Sequence, residues 1–288
     1  MKNFKWIVTD LDGTLIHHKD NKNVIYNDVV EELHRSIEGK HFSIATGRHY
    51  KDVLSIAKKF NINMPANSFV IGANGCQIYS VDEASLILNK TLATDIVQVE
   101  VPKIISYLDN ALPNGTLIFA YGKDENIYFV KNNSSQFQTM VDAVLTHEDN
   151  DGVFNYSIVE TVKELKDITK FCIDFLNKIE DPLLLIENLK KICDKVDFAN
   201  TGEKFIEVII KGVNKSTALE YINENHYKLD QKEILVFGDS GNDVEMMDYA
   251  GTSITRHDSR PEIQTRATMI FPGGASKFVK NALIELIK

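Results

Sequence analysis

The sequence has 288 residues, 43% hydrophobic and 25% charged, a composition that supports a sizeable core and excludes bulk disorder. Its 32 basic and 41 acidic residues leave a formal charge of −9, which disfavours nucleic acid or an anionic membrane surface as the main partner. No run approaches the roughly 18 apolar residues of a membrane span.

Cys76, Cys172 and Cys193 form no CxxC pair, so neither a disulfide framework nor a zinc site is expected. Only the uncharged stretch Trp6–Thr9 precedes the first aspartate, too short for the apolar core of a signal peptide. The expectation is a cytoplasmic protein.

In chain order, Trp6–Thr9 reads as a strand and the periodic stretch Val29–Ile37 as a helix closed by Gly39. A strand at Phe42–Ala45, a helix near Asp52–Lys58 and a strand at Phe69–Gly72 follow. Strands that end in Asp, Thr-Gly or Gly and feed helices predict a doubly wound, Rossmann-like parallel sheet. The last third resumes the pattern with a helix Ser216–Asn223, a strand Ile234–Gly238, a helix Val244–Tyr249, a strand Met269–Phe271 and a helix from Ser276.

The middle differs. A strand from Ser85, a helix entered through Val101-Pro102 and a hairpin from Leu117 are matched by a strand from Thr169, a helix entered through Asp181-Pro182 and a hairpin from Val196. Proline suits the first helical turn, where its missing N–H has no partner to lose. Two strand–helix–hairpin units predict an inserted α+β domain over 83–200, between core segments 1–82 and 201–288.

The strongest chemical signal is Asp10-Leu11-Asp12-Gly13-Thr14, at the carboxyl end of the first strand, where open α/β sheets hold ligands. A calcium loop counted from Asp10 fails, since its sixth and twelfth positions are Leu15 and Asn21 rather than Gly and Glu. Gly238-Asp239-Ser240-Gly241-Asn242-Asp243 ends another apolar strand. If the two tips face each other they gather four carboxylates, and oxygen-only ligands select a hard cation such as Mg2+. Helix capping is the competing role for Asp243.

Thr46-Gly47-Arg48, at a third strand end, offers a hydroxyl and a bare N–H to a phosphate oxygen. Lys215 opens a helix, where a cation is unfavourable unless an anion lies beside it.

DLDGT, SIATGR, KGVNKSTAL and GDSGNDVEM, in this order, resemble the haloacid dehalogenase superfamily, and more closely its Cof-like branch of sugar phosphatases, which inserts a large α/β cap. The resemblance implies a Mg2+-dependent phosphatase acting through an aspartyl phosphate, with the cap closing over the site. Asp10 is then the nucleophile and Asp12 the general acid and base. Asp10, Asp12 (through its carbonyl), Asp239 and Asp243 are implied as metal ligands. Leu11, Thr46, Gly47, Arg48, Lys215 and Asn242 are implied at the phosphate or substrate, with Asn74-Gly75 nearby.

Two segments depart from the family pattern, Ser253–Asp258 and Phe271–Ala275. Arg256 and His257 either meet a substrate or lie on the surface, with the surface favoured, and His17 and His18 read as solvated flap residues. The expected partner is a small phosphorylated metabolite, with neither nucleic acid nor membrane, and the chain acts as a monomer or homodimer. A phosphomutase on the same scaffold and a degenerate binding or regulatory protein are the alternatives.

Overall fold

Trp6–Thr9 is buried along its whole length, which an apolar strand achieves only with neighbours on both edges and cover on both faces. A computed structural model describes residues 3–20, 22–82, 85–91, 100–111, 116–123, 126–145, 155–175, 182–200 and 205–287, and supplies those neighbours. The strand pairs in parallel with His41–Ala45 on one side and Ile234–Phe237 on the other. The sheet extends through Phe69–Gly72 on the first side and through Thr252–Arg256 and Met269–Phe271 on the second, all parallel.

Numbered along the chain, these six strands lie in the order 3-2-1-4-5-6, that of a doubly wound sheet. Gln77–Asp82, antiparallel to Phe69–Gly72, and Ser85–Thr91 complete eight strands.

Alternation along the strands sorts the core. Ile7 joins Val29, Leu33, Val53, Phe278 and Leu283 on one face, so the helices Asn27–Ile37, Tyr50–Lys59 and Lys277–Leu286 pack there. Trp6 and Val8 join Leu219, Ile222, Met246 and Met247 on the other, against the helices Lys215–Ile222 and Val244–Tyr249. The indole N–H of Trp6 donates to Ser43 Oγ at 3.0 Å, so the one polar atom of this buried ring is paired.

The chain divides into two compact units, Met1–Lys90 with Asn214–Lys288, and Thr91–Val213. The second contains a six-stranded sheet in the order Asn155–Val159, Asn126–Val130, Thr116–Gly122, Ile168–Phe175, Phe205–Ile210, Val196–Asn200. Ile118, Ala120, Phe171 and Ile173 pack with Ile104, Leu108, Leu185 and Leu189 of the helices Val101–Ala111 and Pro182–Ile192. Leu117, Phe119 and Phe129 turn to the opposite face and meet Met140 and Val141 of the helix Phe137–Leu145.

The helix and hairpin of the internal repeat are both present, but the expected leading strands are not equivalent. Ser85–Thr91 joins the eight-stranded sheet, whereas Ile168–Phe175 is central in the six-stranded one. The boundary expected at 200/201 falls inside the Val196–Asn200 and Phe205–Ile210 hairpin, whose ladder of backbone hydrogen bonds keeps the pair together. The units separate instead at 213/214. The two hairpin turns expected at Gly122-Lys-Asp-Glu and Thr201-Gly-Glu-Lys lie partly or wholly outside the described residues. Phe137–Leu145 and Asn155–Val159 had no counterpart among the expected elements. Among the described residues, no helix is long and apolar enough to cross a membrane.

Lys170 and Glu207, on neighbouring strands of the second unit, are both buried and pair at 2.5 Å. Lys170→Met leaves that carboxylate without its lysine and is expected to cost about 3–5 kcal/mol of stability. Urea denaturation measures this, and a loss below about 1 kcal/mol, the range of an exposed pair, would count against a buried pair.

Candidate active site

Strand pairing decides where the acidic motifs go. Thr9 lies beside Phe237 in the parallel register, and the Asp10 N–H donates to the Phe237 carbonyl at 2.9 Å. The tips carrying Asp10 and Asp239 are therefore neighbours, at the point where the strand order reverses. Gly13 makes their approach possible: its φ is +80°, and a Cβ there would stand 2.4 Å from the Asp239 carboxylate. The next hydroxyl, Thr14 Oγ1, donates to Asp239 Oδ1 at 3.0 Å.

Lys215 is the first residue of its helix, and Asn214 caps that helix by accepting from the Thr217 N–H at 3.0 Å. Fully buried, Lys215 places Nζ 2.6 Å from Asp10 Oδ1 and 2.7 Å from Asp243 Oδ1. The two aspartates explain a cation at a helix N-terminus, where the helix dipole alone opposes it. Burial disfavours its charge, but Asp10 and Asp243 outweigh this and raise the lysine above its ordinary pKa.

Asp243 does not cap the helix Val244–Tyr249 through its side chain; Oδ2 instead accepts from the N–H groups of Asp239 (2.9 Å) and Ser240 (3.0 Å) and braces the turn before that helix. Gly238 allows this close fold, because a Cβ there would meet the Asp243 side chain at 2.6 Å.

Asp10, Asp239 and Asp243 each offer an oxygen within 4.8 Å of the others. Burial and the Asp243 charge push Asp10 well above the ordinary carboxylate range despite Lys215. The same two causes push Asp239 up to about 6, against the pull of Arg256 and the Thr14 hydrogen bond. Carboxylates that resist ionising together in an oxygen-only cluster fit a divalent cation such as Mg2+.

Asp12 behaves differently. Arg48 holds it with two hydrogen bonds of 2.7 Å, and His18 Nε2 lies 2.9 Å from Oδ1. Burial pushes its pKa up, but the Arg48 charge and both sets of hydrogen bonds prevail and hold it well below the usual range. His18, expected to be a solvated flap residue, reaches Asp12 because the hairpin His17–Lys19 and Lys22–Val24 folds back over the motif. Nothing in the local sequence signals that return.

The remaining expected residues form a hydrogen-bonded arc. Thr46 Oγ1 accepts from the Arg48 N–H at 3.1 Å across Gly47, and the Thr46 carbonyl accepts from the Asn74 N–H at 3.0 Å. Asn74 Oδ1 accepts from Asn242 Nδ2 at 3.1 Å. Gly75, at φ +102°, lets this loop touch the start of the lysine helix, since a Cβ would stand 2.1 Å from the Asn214 carbonyl oxygen.

The Leu11 side chain is fully buried in the core, so only its backbone is available to a ligand. Arg256, expected at the surface, instead faces Asp239, with Nη2 3.6 Å from Oδ2. It closes the strand next to Ile234–Phe237, so the strand-end rule that singles out Asp10 also reaches it.

The sequence profile of the haloacid dehalogenase-like hydrolases matches residues 7–283. The chain belongs to this family. It is a phosphatase of the haloacid dehalogenase type, and its relatives fit. A protein of Mycoplasma pneumoniae named as a phosphatase is 24% identical, over 98% of this chain and 96% of its own. An HMP-PP phosphatase of Escherichia coli is 24% identical over 88% and 85%. A solved sugar phosphatase of subclass IIB shares the fold with a TM-score of 0.76, at 19% identity and 98% coverage of both chains.

Lys215→Met, studied in EDTA, is expected to cost about 3–5 kcal/mol at neutral pH, because buried carboxylates lose their cation. With the lysine gone, the raised pKa of Asp10 rises further. The folded form then binds a proton more tightly than the unfolded one, so the deficit narrows as pH falls through that folded pKa. Thermal melts between neutral and mildly acidic pH check the sign, and a deficit that widens on acidification contradicts it.

Proposed function

We propose that this phosphatase hydrolyses the phosphate monoester of a small metabolite, a sugar phosphate or a molecule of similar size, through a phosphorylated Asp10. The observation that carries the reading is Asp10 itself: at the switch point of the sheet, 2.6 Å from a buried lysine, within 4.8 Å of two more carboxylates. The sugar phosphatase and the HMP-PP phosphatase among its relatives support a small phosphorylated substrate. The Thr91–Val213 unit is read as the inserted cap.

In the first half-reaction an Asp10 carboxylate oxygen attacks phosphorus, the ester P–O bond breaks, and Asp12 gives its proton to the departing oxygen. Water then attacks the phosphorus of aspartyl phosphate and Asp12 takes its proton. The P–OAsp10 bond breaks, releasing inorganic phosphate. Arg48 and His18 favour the ionised Asp12 that the second half needs, and substrate binding must loosen that grip for the first. Positioned acid–base help of this kind is worth on the order of 10²–10⁴-fold.

Lys215 neutralises charge at Asp10 and the incoming phosphate, while Thr46, Gly47 and Asn242 supply hydrogen bonds to phosphate oxygens. Asp10, Asp239, Asp243 and the Asp12 carbonyl would hold Mg2+, which lowers the repulsion between carboxylate and phosphate when bound.

The test is free phosphate released from a panel of phosphorylated metabolites, with Mg2+ or EDTA. Release is expected only with Mg2+, and Asp10→Asn is expected to abolish it while the circular dichroism spectrum is kept. Full turnover by Asp10→Asn removes the nucleophile, and isomer formation without free phosphate replaces hydrolysis by a mutase. For Asp12→Ala the loss should be larger on alkyl phosphates than on p-nitrophenyl phosphate, whose leaving group needs no proton. Equal losses would take the acid role from Asp12.

A further inference from the structure

Ser253–Asp258 departs from the family pattern, and its place in the sheet gives the departure consequences. Thr252–Arg256 runs parallel to Ile234–Phe237, so Arg256 emerges at the edge where Asp239 begins the connection that leaves the neighbouring strand. The guanidinium lies between two carboxylates: Nη2 is 3.6 Å from Asp239 Oδ2, and Nε is 3.3 Å from Asp258 Oδ1. Its side chain is mostly buried, at 24% exposure, and Asp239 is at 10%.

The charges in the site are divided. Lys215 pairs with Asp10 and Asp243, Arg48 and His18 contact Asp12, and Arg256 is the cation paired with Asp239 among the described residues. Thr14 takes the other Asp239 oxygen.

We propose that Arg256 is a resident counter-cation of the metal site, holding the Asp239 carboxylate in the metal-free protein and yielding it when a divalent cation binds. The inference rests on reading Asp239 as a metal ligand. Two cations a few ångströms apart repel each other, so every Mg2+ that reaches Asp239 must overcome the guanidinium. Arg256 thereby weakens metal binding and stabilises the metal-free fold, where Asp239 stands close to Asp10 and Asp243. Asp258, half exposed, draws the guanidinium the other way.

The experiment is Mg2+ binding to the full chain by calorimetry, together with thermal melts with and without Mg2+ and with no substrate present. Arg256→Met is expected to tighten the Kd for Mg2+ roughly three- to fivefold, the scale of one partly exposed ion pair. Its melting temperature in EDTA should fall below wild type, with a larger rise on adding Mg2+. Asp258→Asn should shift the Kd the opposite way, by freeing the guanidinium for Asp239 and removing a nearby negative charge.

Unchanged or weaker binding in a folded Arg256→Met protein overturns the inference. If that variant does not fold, Asp258→Asn decides, and an unchanged Kd there overturns it. Asp239→Asn separates the two levels. Loss of Mg2+ binding keeps Asp239 as a ligand whatever the arginine does. Wild-type binding by Asp239→Asn overturns both the ligand and the inference.

Discussion

The parallel pairing of Trp6–Thr9 with Ile234–Phe237 is the constraint on which the site depends. More than two hundred residues separate these strands in sequence, yet the ladder leaves their tips one hydrogen bond apart, from the Asp10 N–H to the Phe237 carbonyl. Each strand is sealed on both faces by apolar side chains, so neither tip can shift without disturbing the two largest clusters of the first unit. Gly13 and Gly238 then let the connections fold tightly enough for carboxylates to meet, since a Cβ at either position would overlap an aspartate.

Once the carboxylates converge, electrostatics dictates the rest. Buried like charges are costly, and each aspartate carries a distinct remedy. Asp10 shares Lys215 with Asp243, Asp243 adds two backbone N–H groups, Asp12 has Arg48 and His18, and Asp239 has Thr14 and Arg256. These remedies push the groups apart in proton affinity. Asp12 is held low and ionised, while Asp10 and Asp239 are held high. Two carboxylates in one motif, separated by a single residue, are thus prepared for different work.

Much of this was legible in the sequence because the core strands are short, apolar and bounded by turn residues. Phe69–Gly72, Val244–Tyr249 and Met269–Phe271 fall where the pattern places them. Asp10, Asp239, Asp243 and Lys215 were readable as strand-end and helix-start residues, and they do meet. What escaped depends on long-range return of the chain. His18 meets Asp12 only because a hairpin of two three-residue strands folds back, and the Phe137–Leu145 helix has too few polar positions to show a clear stripe. Arg256 was misread as a surface residue because an arginine after an apolar strand looks solvated until the neighbouring tip is known to be acidic. The internal repeat misled at its first strand, Ser85–Thr91, because helix and hairpin patterns say nothing about which sheet a leading strand will join.

The central claim is that Asp10 and Asp239 act as one cation site. Anomalous scattering from crystals grown with Mn2+ in place of Mg2+ tests it most directly. The account predicts a single strong peak in coordination contact with both carboxylates, absent in Asp239→Asn. A peak that touches neither aspartate, or two separate peaks each bound to one of them, would contradict it.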